Sequence, residues 1–241
     1  MPGFANRQQA GQALAERLSA YADRPDVVVL ALPRGGVPVA HEVARALHAP
    51  LDVIIVRKLG LPGQPELAMG AIAGGKVGVL NRQLMRAMRV EDAELDRVLA
   101  AERAELLRRE REYRGTRPPL DLKGRTVILV DDGLATGATM AAAVSAVAQQ
   151  HPATIVVAVP VASREAAAAL THTGAVVVTL MTPEPFYGVG NWYEDFDATS
   201  DAEVKALLAT DSRDQTNPTT RSGSVIARRR LARGPSRTSS A

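Results

Sequence analysis

The sequence contains no cysteine. That excludes disulfides, thiolate nucleophiles and zinc–thiolate centres, and it accords with a cytoplasmic protein. Aromatic residues make up only 3% of the 241-residue chain, so the core is expected to be aliphatic, built from Ala, Val and Leu. No apolar run approaches the roughly 18 to 20 residues needed to cross a bilayer. The opening Met1-Pro2-Gly3-Phe4-Ala5-Asn6-Arg7 lacks a charged region followed by an apolar stretch, so neither a signal peptide nor a membrane partner is expected. The four histidines, at 41, 48, 151 and 172, have no ligand spacing and read as structural or surface residues.

Net positive charge is lacking from most of the chain, although the total is +3. From Asp211 onward seven arginines face two aspartates, a net of +5, which leaves −2 on everything before. The basic pI therefore belongs to the tail, and nucleic acid is not an expected partner of the folded body. Apolar residues at 46% and charged residues at 23% describe a globular domain with one good-sized core.

Along the chain, apolar residues at helical spacing predict a helix over Asn6–Tyr21. Apolar runs predict strands at Val27–Leu32, Val53–Val56, Val127–Val130, Ile155–Val159 and Val176–Leu180. Helices are expected between them at Val39–Leu47, Thr139–Gln149 and Arg164–Leu170, with a short terminal one at Asp201–Leu208. The predicted class is α/β: a five-stranded parallel sheet flanked by helices. Gly60–Gly78, rich in glycine and holding Pro62 and Pro65, reads as a mobile loop with a weak hairpin at Gly74-Gly75. Glu91–Arg114 reads as a long charged helix with a thin stripe of Leu95, Val98, Leu99, Leu106 and Leu107. It offers either a solvated face or a homodimer contact. The boundaries expected are one domain over 1–210 and a disordered Arg/Ser/Thr-rich tail over 211–241.

The segment Val127–Thr139 carries the chemistry. An apolar strand runs into Asp131-Asp132 and then into the small-residue loop Gly133-Leu134-Ala135-Thr136-Gly137-Ala138-Thr139, which opens a helix. Ligands of open α/β sheets gather at the carboxyl ends of strands. Loop N–H groups and the positive end of the next helix suit a phosphate dianion. Gly137 admits close backbone approach, and Thr136 and Thr139 offer hydroxyls. The two aspartates can accept from ribose hydroxyls or face a hydrated Mg²⁺. Neither the Gly-Lys-Ser/Thr of a P-loop nor the dinucleotide fingerprint is present. The bland alternative is a buried strand whose polar end happens to be Asp-Asp. Likewise Arg34, Gly35 and Gly36, after the first strand, are either a phosphate-binding turn or a simple Gly-Gly turn with an exposed arginine.

The pattern of four apolar residues, two acids and Thr-Gly-x-Thr closely resembles the 5-phosphoribosyl-1-pyrophosphate motif of type I phosphoribosyltransferases. The resemblance implies that Asp131 and Asp132 contact the ribose 2′- and 3′-hydroxyls and the metal, the metal through water. It implies that Ala135, Thr136, Gly137, Ala138 and Thr139 hold the 5′-phosphate. Leu32-Pro33-Arg34-Gly35-Gly36-Val37 resembles the family's pyrophosphate loop, with Arg34, Gly35 and Gly36 on the leaving group. Val56-Arg57-Lys58-Leu59-Gly60-Leu61-Pro62-Gly63 looks like the start of the flexible catalytic loop of adenine phosphoribosyltransferases, a lid over about 58–78. That implies catalytic roles for Arg57 and Lys58 beside Arg34. Glu66 is the lid's one carboxylate, able to act on the acceptor or merely be a solvated loop residue.

The stretch Pro183–Phe196 holds most of the aromatics. With the first helix it is expected to form the small hood where this family holds its acceptor, or else a hydrophobic plug; the plug suits Phe186 and Phe196 better than Tyr187 or Trp192. Over residues 4–208 the chain resembles one bacterial group of predicted phosphoribosyltransferases, through Arg-Gly-Gly, Val-Asp-Asp-Gly-x-Ala-Thr-Gly-Ala-Thr-Met and Phe-x-x-Val-Gly-x-x-Tyr.

One departure narrows the acceptor. Enzymes for 6-oxopurines carry a third carboxylate three residues after the second acid, and that position here is Ala135. The resemblance thus implies Mg²⁺-dependent transfer of phosphoribose to a nitrogenous small-molecule acceptor, a nucleobase among the candidates, with release of pyrophosphate. The alternative is a non-catalytic sensor that binds the sugar pyrophosphate or a nucleotide.

Overall fold

A computed structural model describes residues 3–74 and 76–215, with the side chains of 65, 66, 76–78 and 210–215 left undescribed. In chain order, α1 (Arg7–Arg17), β1 (Val27–Ala31), α2 (Gly36–Leu47) and β2 (Leu51–Val53) come first. Three strands follow, β3 (Val56–Leu61), β4 (Gln64–Ala73) and β5 (Lys76–Leu80), then α3 (Arg82–Ala87) and α4 (Asp92–Arg114). β6 (Thr126–Val130), α5 (Ala138–Ala148), β7 (Thr154–Val161), α6 (Arg164–Thr171), β8 (Val176–Met181) and α7 (Asp201–Gln215) complete the described chain.

Five strands form the expected parallel sheet, in the order β2-β1-β6-β7-β8. β1 and β6 are buried along their whole length, which is why they read as unbroken apolar runs rather than alternating ones. Their residues still divide by the pleat. Val27, Val29, Ala31, Ile128, Val130, Val156 and Ala158 share one core with α1 and α2 residues such as Leu14, Ala40 and Val43. Val28, Leu30, Val127, Leu129, Val157 and Val159 share the other with Met140 and Val144 of α5 and with Leu170 of α6. Fully burying each such aliphatic side chain contributes about 1.5–3 kcal/mol before chain entropy is counted.

The connections make the site. From β1 the chain passes through α2 to β2 on one side, whereas from β6 it passes through α5 to β7 on the other. α2 and α5 therefore lie on opposite faces, and the carboxyl ends of β1 and β6 open between them. This is the switch point at which α/β sheets hold ligands.

Two expectations need correction. Leu51–Val53 pairs with β1, with one further bond from Ile54 N to Ala31 O at 2.9 Å, so the second parallel strand ends before Val56. From Val56 the chain pairs instead with Ala73, as the first strand of a separate antiparallel sheet, β3-β4-β5. The segment read as a mobile loop is thus mostly strand, with a turn at Pro62-Gly63. Leu59, Leu61, Met69 and Ile72 are buried in one core with Leu99 and Leu106 of α4. That burial holds the sheet in place despite its glycines.

α4 presents the narrow stripe expected, but Leu99, Leu106 and Tyr113 are its buried residues while Leu107 is exposed. The seven-residue spacing keeps those three on one line. α7 extends past the expected Leu208 to Gln215. The remainder of the expected tail, 216–241, lies outside the described residues.

Candidate functional site

The loop after β1 and the acids after β6 are pressed together. Leu32 N donates to Val130 O at 2.9 Å, tying the two strand ends. A Cβ at Gly35 would stand 2.0 Å from Asp132 Oδ2, and one at Gly36 would stand 2.7 Å from Val130 O and 3.1 Å from Asp131 Oδ1. No side chain fits in either place, so the paired glycines are a requirement of contact with the acidic pair and not merely of a turn. The Arg34 side chain is half exposed, with Nη1 3.9 Å from Asp201 Oδ1. It has a counter-charge nearby without a tight bond.

The acidic pair is enclosed. Asp131 Oδ1 accepts from Asp132 N at 2.9 Å. Burial, and then the neighbouring Asp132, push the Asp131 carboxyl well above the ordinary aspartate range. Burial also raises Asp132, and Arg7 offsets part of that rise.

The loop after Asp132 is braced from below by β7. Leu134 N donates to Val161 O at 2.9 Å and Ser163 N to Leu134 O at 2.8 Å. Ser163 Oγ donates to Ala135 O at 2.8 Å and also caps α6, accepting from Ala166 N. Gly137, at φ 72°, turns the chain into α5 with no side-chain cap. The first-turn N–H groups at Ala138, Thr139 and Met140 lack intrahelical partners by construction. Ala138 N also reaches Thr136 Oγ1, just outside the helix, at 3.5 Å.

The structure does not gather every expected residue here. Adjacent residues of a strand point to opposite faces, so β3 separates Arg57 from Lys58. Arg57 Nε donates to Glu102 Oε2 on α4 at 2.7 Å, and Lys58 is exposed. The Glu66 side chain lies outside the described residues.

The hood supplies residues that the sequence reading missed. Asn6 caps α1 by accepting from Gln9 N, which places Arg7 in the first turn. Arg7 Nε and Nη2 each lie 2.9 Å from Asp132 Oδ2, and Nη1 donates to Asp197 O at 2.7 Å. Its guanidinium carbon sits 3.9 Å above the Phe196 ring. Tyr193, buried against Phe4 and Phe196, donates its hydroxyl to Asp132 O at 2.6 Å. Burial and then Asp132 push its phenol pKa up.

A cation in the first turn opposes the helix dipole, at a cost of about 0.3–1 kcal/mol. That misplaced charge was the sequence signal available for Arg7. Of the hood aromatics, Phe196 has one face under Arg7, Phe186 and Trp192 join the hood core, and Tyr187 stands 79% exposed.

No group of three or more metal-ligating side chains occurs among the described residues. Two partly buried carboxylates opposed by Arg7 suit a hydrated Mg²⁺ shared with a ligand's phosphate oxygens. No helix among the described residues is long and apolar enough to cross a membrane.

Comparison with known proteins bears on this geometry. The phosphoribosyl transferase domain model matches residues 5–181. Proteins from two strains of Mycobacterium tuberculosis, each provisionally named a phosphoribosyl transferase, are 47% identical over 212 residues, covering 88% of this chain and 47% of theirs. The chain thus spans about half the length of these relatives. The crystal structure of TT1426 from Thermus thermophilus has a TM-score of 0.75 at 47% identity, covering 87% of this chain and 99% of that one.

Proposed function

Because the chain belongs to the phosphoribosyl transferase domain family, we propose that it is a Mg²⁺-dependent phosphoribosyltransferase acting on 5-phosphoribosyl-1-pyrophosphate. The observation that carries this reading is the contact of Gly35 and Gly36 with Asp131 and Asp132 at the switch point between β1 and β6. The loop read here as holding the leaving group thereby touches the acidic pair read as holding the ribose hydroxyls, and the segment read as the phosphate cradle follows that pair directly along the chain.

In this reading the cradle from Ala135 to Thr139 holds the 5′-phosphate, and Asp131 and Asp132 accept from the ribose hydroxyls. Backbone at Gly35 and Gly36, with the half-exposed Arg34, takes the pyrophosphate. Asp131 and Asp132 would hold Mg²⁺ through water, and the ion supplies charge neutralisation of the departing pyrophosphate. A nucleophilic nitrogen of the acceptor forms the bond to C1 as the bond from C1 to the pyrophosphate oxygen breaks, and the nitrogen's proton passes to solvent or a nearby base. The protein contributes alignment and fixed dipoles. The β3–β4 hairpin, carrying Arg57, Lys58 and Glu66, covers the ribosyl centre and excludes water, with Arg57 exchanging Glu102 for the ligand on closure. Tyr187 offers the open aromatic face for a planar acceptor.

The test is to incubate the protein with Mg²⁺, the sugar pyrophosphate and a panel of nucleobases while following pyrophosphate release. Release with one base names the acceptor. Tight binding of the sugar pyrophosphate with no release from any base would contradict catalysis and favour a sensor.

A further inference from the structure

We infer that Arg7 is a positioning residue for the proposed transfer: it clamps the Asp132 carboxylate and so makes the N-terminal hood part of the ribose site. The inference rests on the reading of the crevice given above.

Arg7 Nε donates to Asp132 Oδ2 at 2.9 Å, and Nη2 forms an ion pair with the same oxygen at 2.9 Å. The backbone of Gly35 closes the other side of that oxygen, as the 2.0 Å approach of a Gly35 Cβ demonstrates. Oδ2 is therefore enclosed between a cation and the leaving-group loop, which leaves Oδ1 as the Asp132 oxygen for a sugar hydroxyl or a metal-bound water.

The arginine is itself fixed. Its Nη1 donates to Asp197 O at 2.7 Å, and its plane rests on Phe196. Phe196 lies 5.0 Å from Tyr193, whose hydroxyl bonds the backbone oxygen of the same Asp132. Asp132 is thus gripped twice by the hood, once through its carboxylate and once through its carbonyl.

The surroundings explain why a cation is needed. Asp131 and Asp132 are adjacent and largely withdrawn from water, and Arg7 is the cation opposing both. Only 12% of its side chain is exposed, so water does little to screen the pairing. A surface ion pair would tolerate many geometries. Here the planar fork, the stacked ring and the Gly35 backstop allow one.

Calorimetry tests this. Wild-type protein is first titrated with Mg²⁺ and 5-phosphoribosyl-1-pyrophosphate; absence of binding there would sink the crevice reading itself, whatever Arg7 does. Given wild-type binding, R7Q is expected to bind at least roughly tenfold more weakly, the scale of a lost charged hydrogen bond. R7K, which keeps the charge without the fork, should recover part of that loss. F196L should weaken binding by roughly threefold by removing the surface under the guanidinium. R17Q, an exposed change at the far end of α1, should bind as wild type does.

Thermal melts accompany each titration. Binding by R7Q equal to or tighter than wild type overturns the inference, and tighter binding would make Arg7 a competitor of the sugar. Equal losses in R7Q and R7K that track lowered melting temperatures also overturn it, leaving Arg7 a structural link. If R7Q does not fold, R7K decides. Weakening of roughly threefold or more at an unchanged melting temperature supports the clamp, and unchanged binding contradicts it.

Discussion

The crevice between β1 and β6 and the antiparallel sheet β3-β4-β5 are both rich in glycine, yet the glycines work differently. In the crevice, Gly35 and Gly36 admit the acidic pair to the backbone. In the antiparallel sheet, Gly70 lets β4 lie close to Val79 O of β5, while the packing is done by Leu59, Leu61, Met69 and Ile72. The first region uses backbone closeness to bring the acidic pair against the loop after β1. The second is a sheet ordered by its apolar face. Damage to one should leave the other largely intact.

The largest effect expected is from Gly35→Ala. A methyl group 2.0 Å from Asp132 Oδ2 must displace the carboxylate, and misplacement of about 1 Å at a reacting centre costs on the order of 100-fold. Sugar-pyrophosphate affinity should fall by that order, while hydrogen exchange in β3–β5 stays at wild-type values. Simultaneous loss of protection in β3–β5 would show that the two regions are not independent.

Leu59→Ala is the converse. Leu59 is fully buried, so truncation should cost about 2–5 kcal/mol in urea unfolding, with sugar affinity changed much less. A cost below about 0.5 kcal/mol, as at an unpacked surface position, would return the segment to a loose loop.

A pH dependence separates the crevice from the rest of the molecule. Asp131 is raised above the ordinary aspartate value of 3.8 by burial and by Asp132. A carboxyl with a higher pKa folded than unfolded contributes stability below its unfolded value, and that contribution is lost as pH rises through the folded value. The ligand-free protein should therefore lose stability relative to Asp131→Asn as pH climbs from about 4 toward neutrality. Urea midpoints of the two proteins across that range check the sign; parallel curves would mean that the carboxyl is not buried as described.

The smallest effect belongs to Arg164 and Glu184, which pair at 2.8 Å near the hood but are 69% and 73% exposed. Arg164→Ala should change stability by less than about 0.5 kcal/mol. A larger loss in thermal melting would mean that the hood depends on its rim.

The same contrast explains what was legible in the sequence. Strands buried on both faces, such as Val127–Val130, display their burial as a continuous apolar run, and the Asp-Asp pair with its Thr-Gly-Ala-Thr loop marks the sheet's carboxyl end. The antiparallel sheet was misread because its strands are half exposed and carry Gly60, Gly70 and Pro65, residues that locally signal loops. The pairing that overrides them, Arg57 with Ile72 and Ala71 with Val79, joins residues that no local pattern connects.

Arg7 was overlooked for a related reason. It lies 125 positions from Asp132, and only its unfavourable place at a helix start hinted at a partner. Ser163 and Tyr193 act on Ala135 and Asp132 through backbone oxygens, contacts that leave no trace in residue type.

The central claim is that Asp131 and Asp132 hold a sugar pyrophosphate with Mg²⁺ in the crevice between β1 and β6. Calorimetric titration of that ligand into wild-type protein and into the double variant Asp131→Asn, Asp132→Asn tests it most directly. The account predicts saturable binding by the wild type that depends on Mg²⁺, and no detectable binding by a double variant that melts at or above the wild-type temperature. Unchanged binding by the double variant would contradict it.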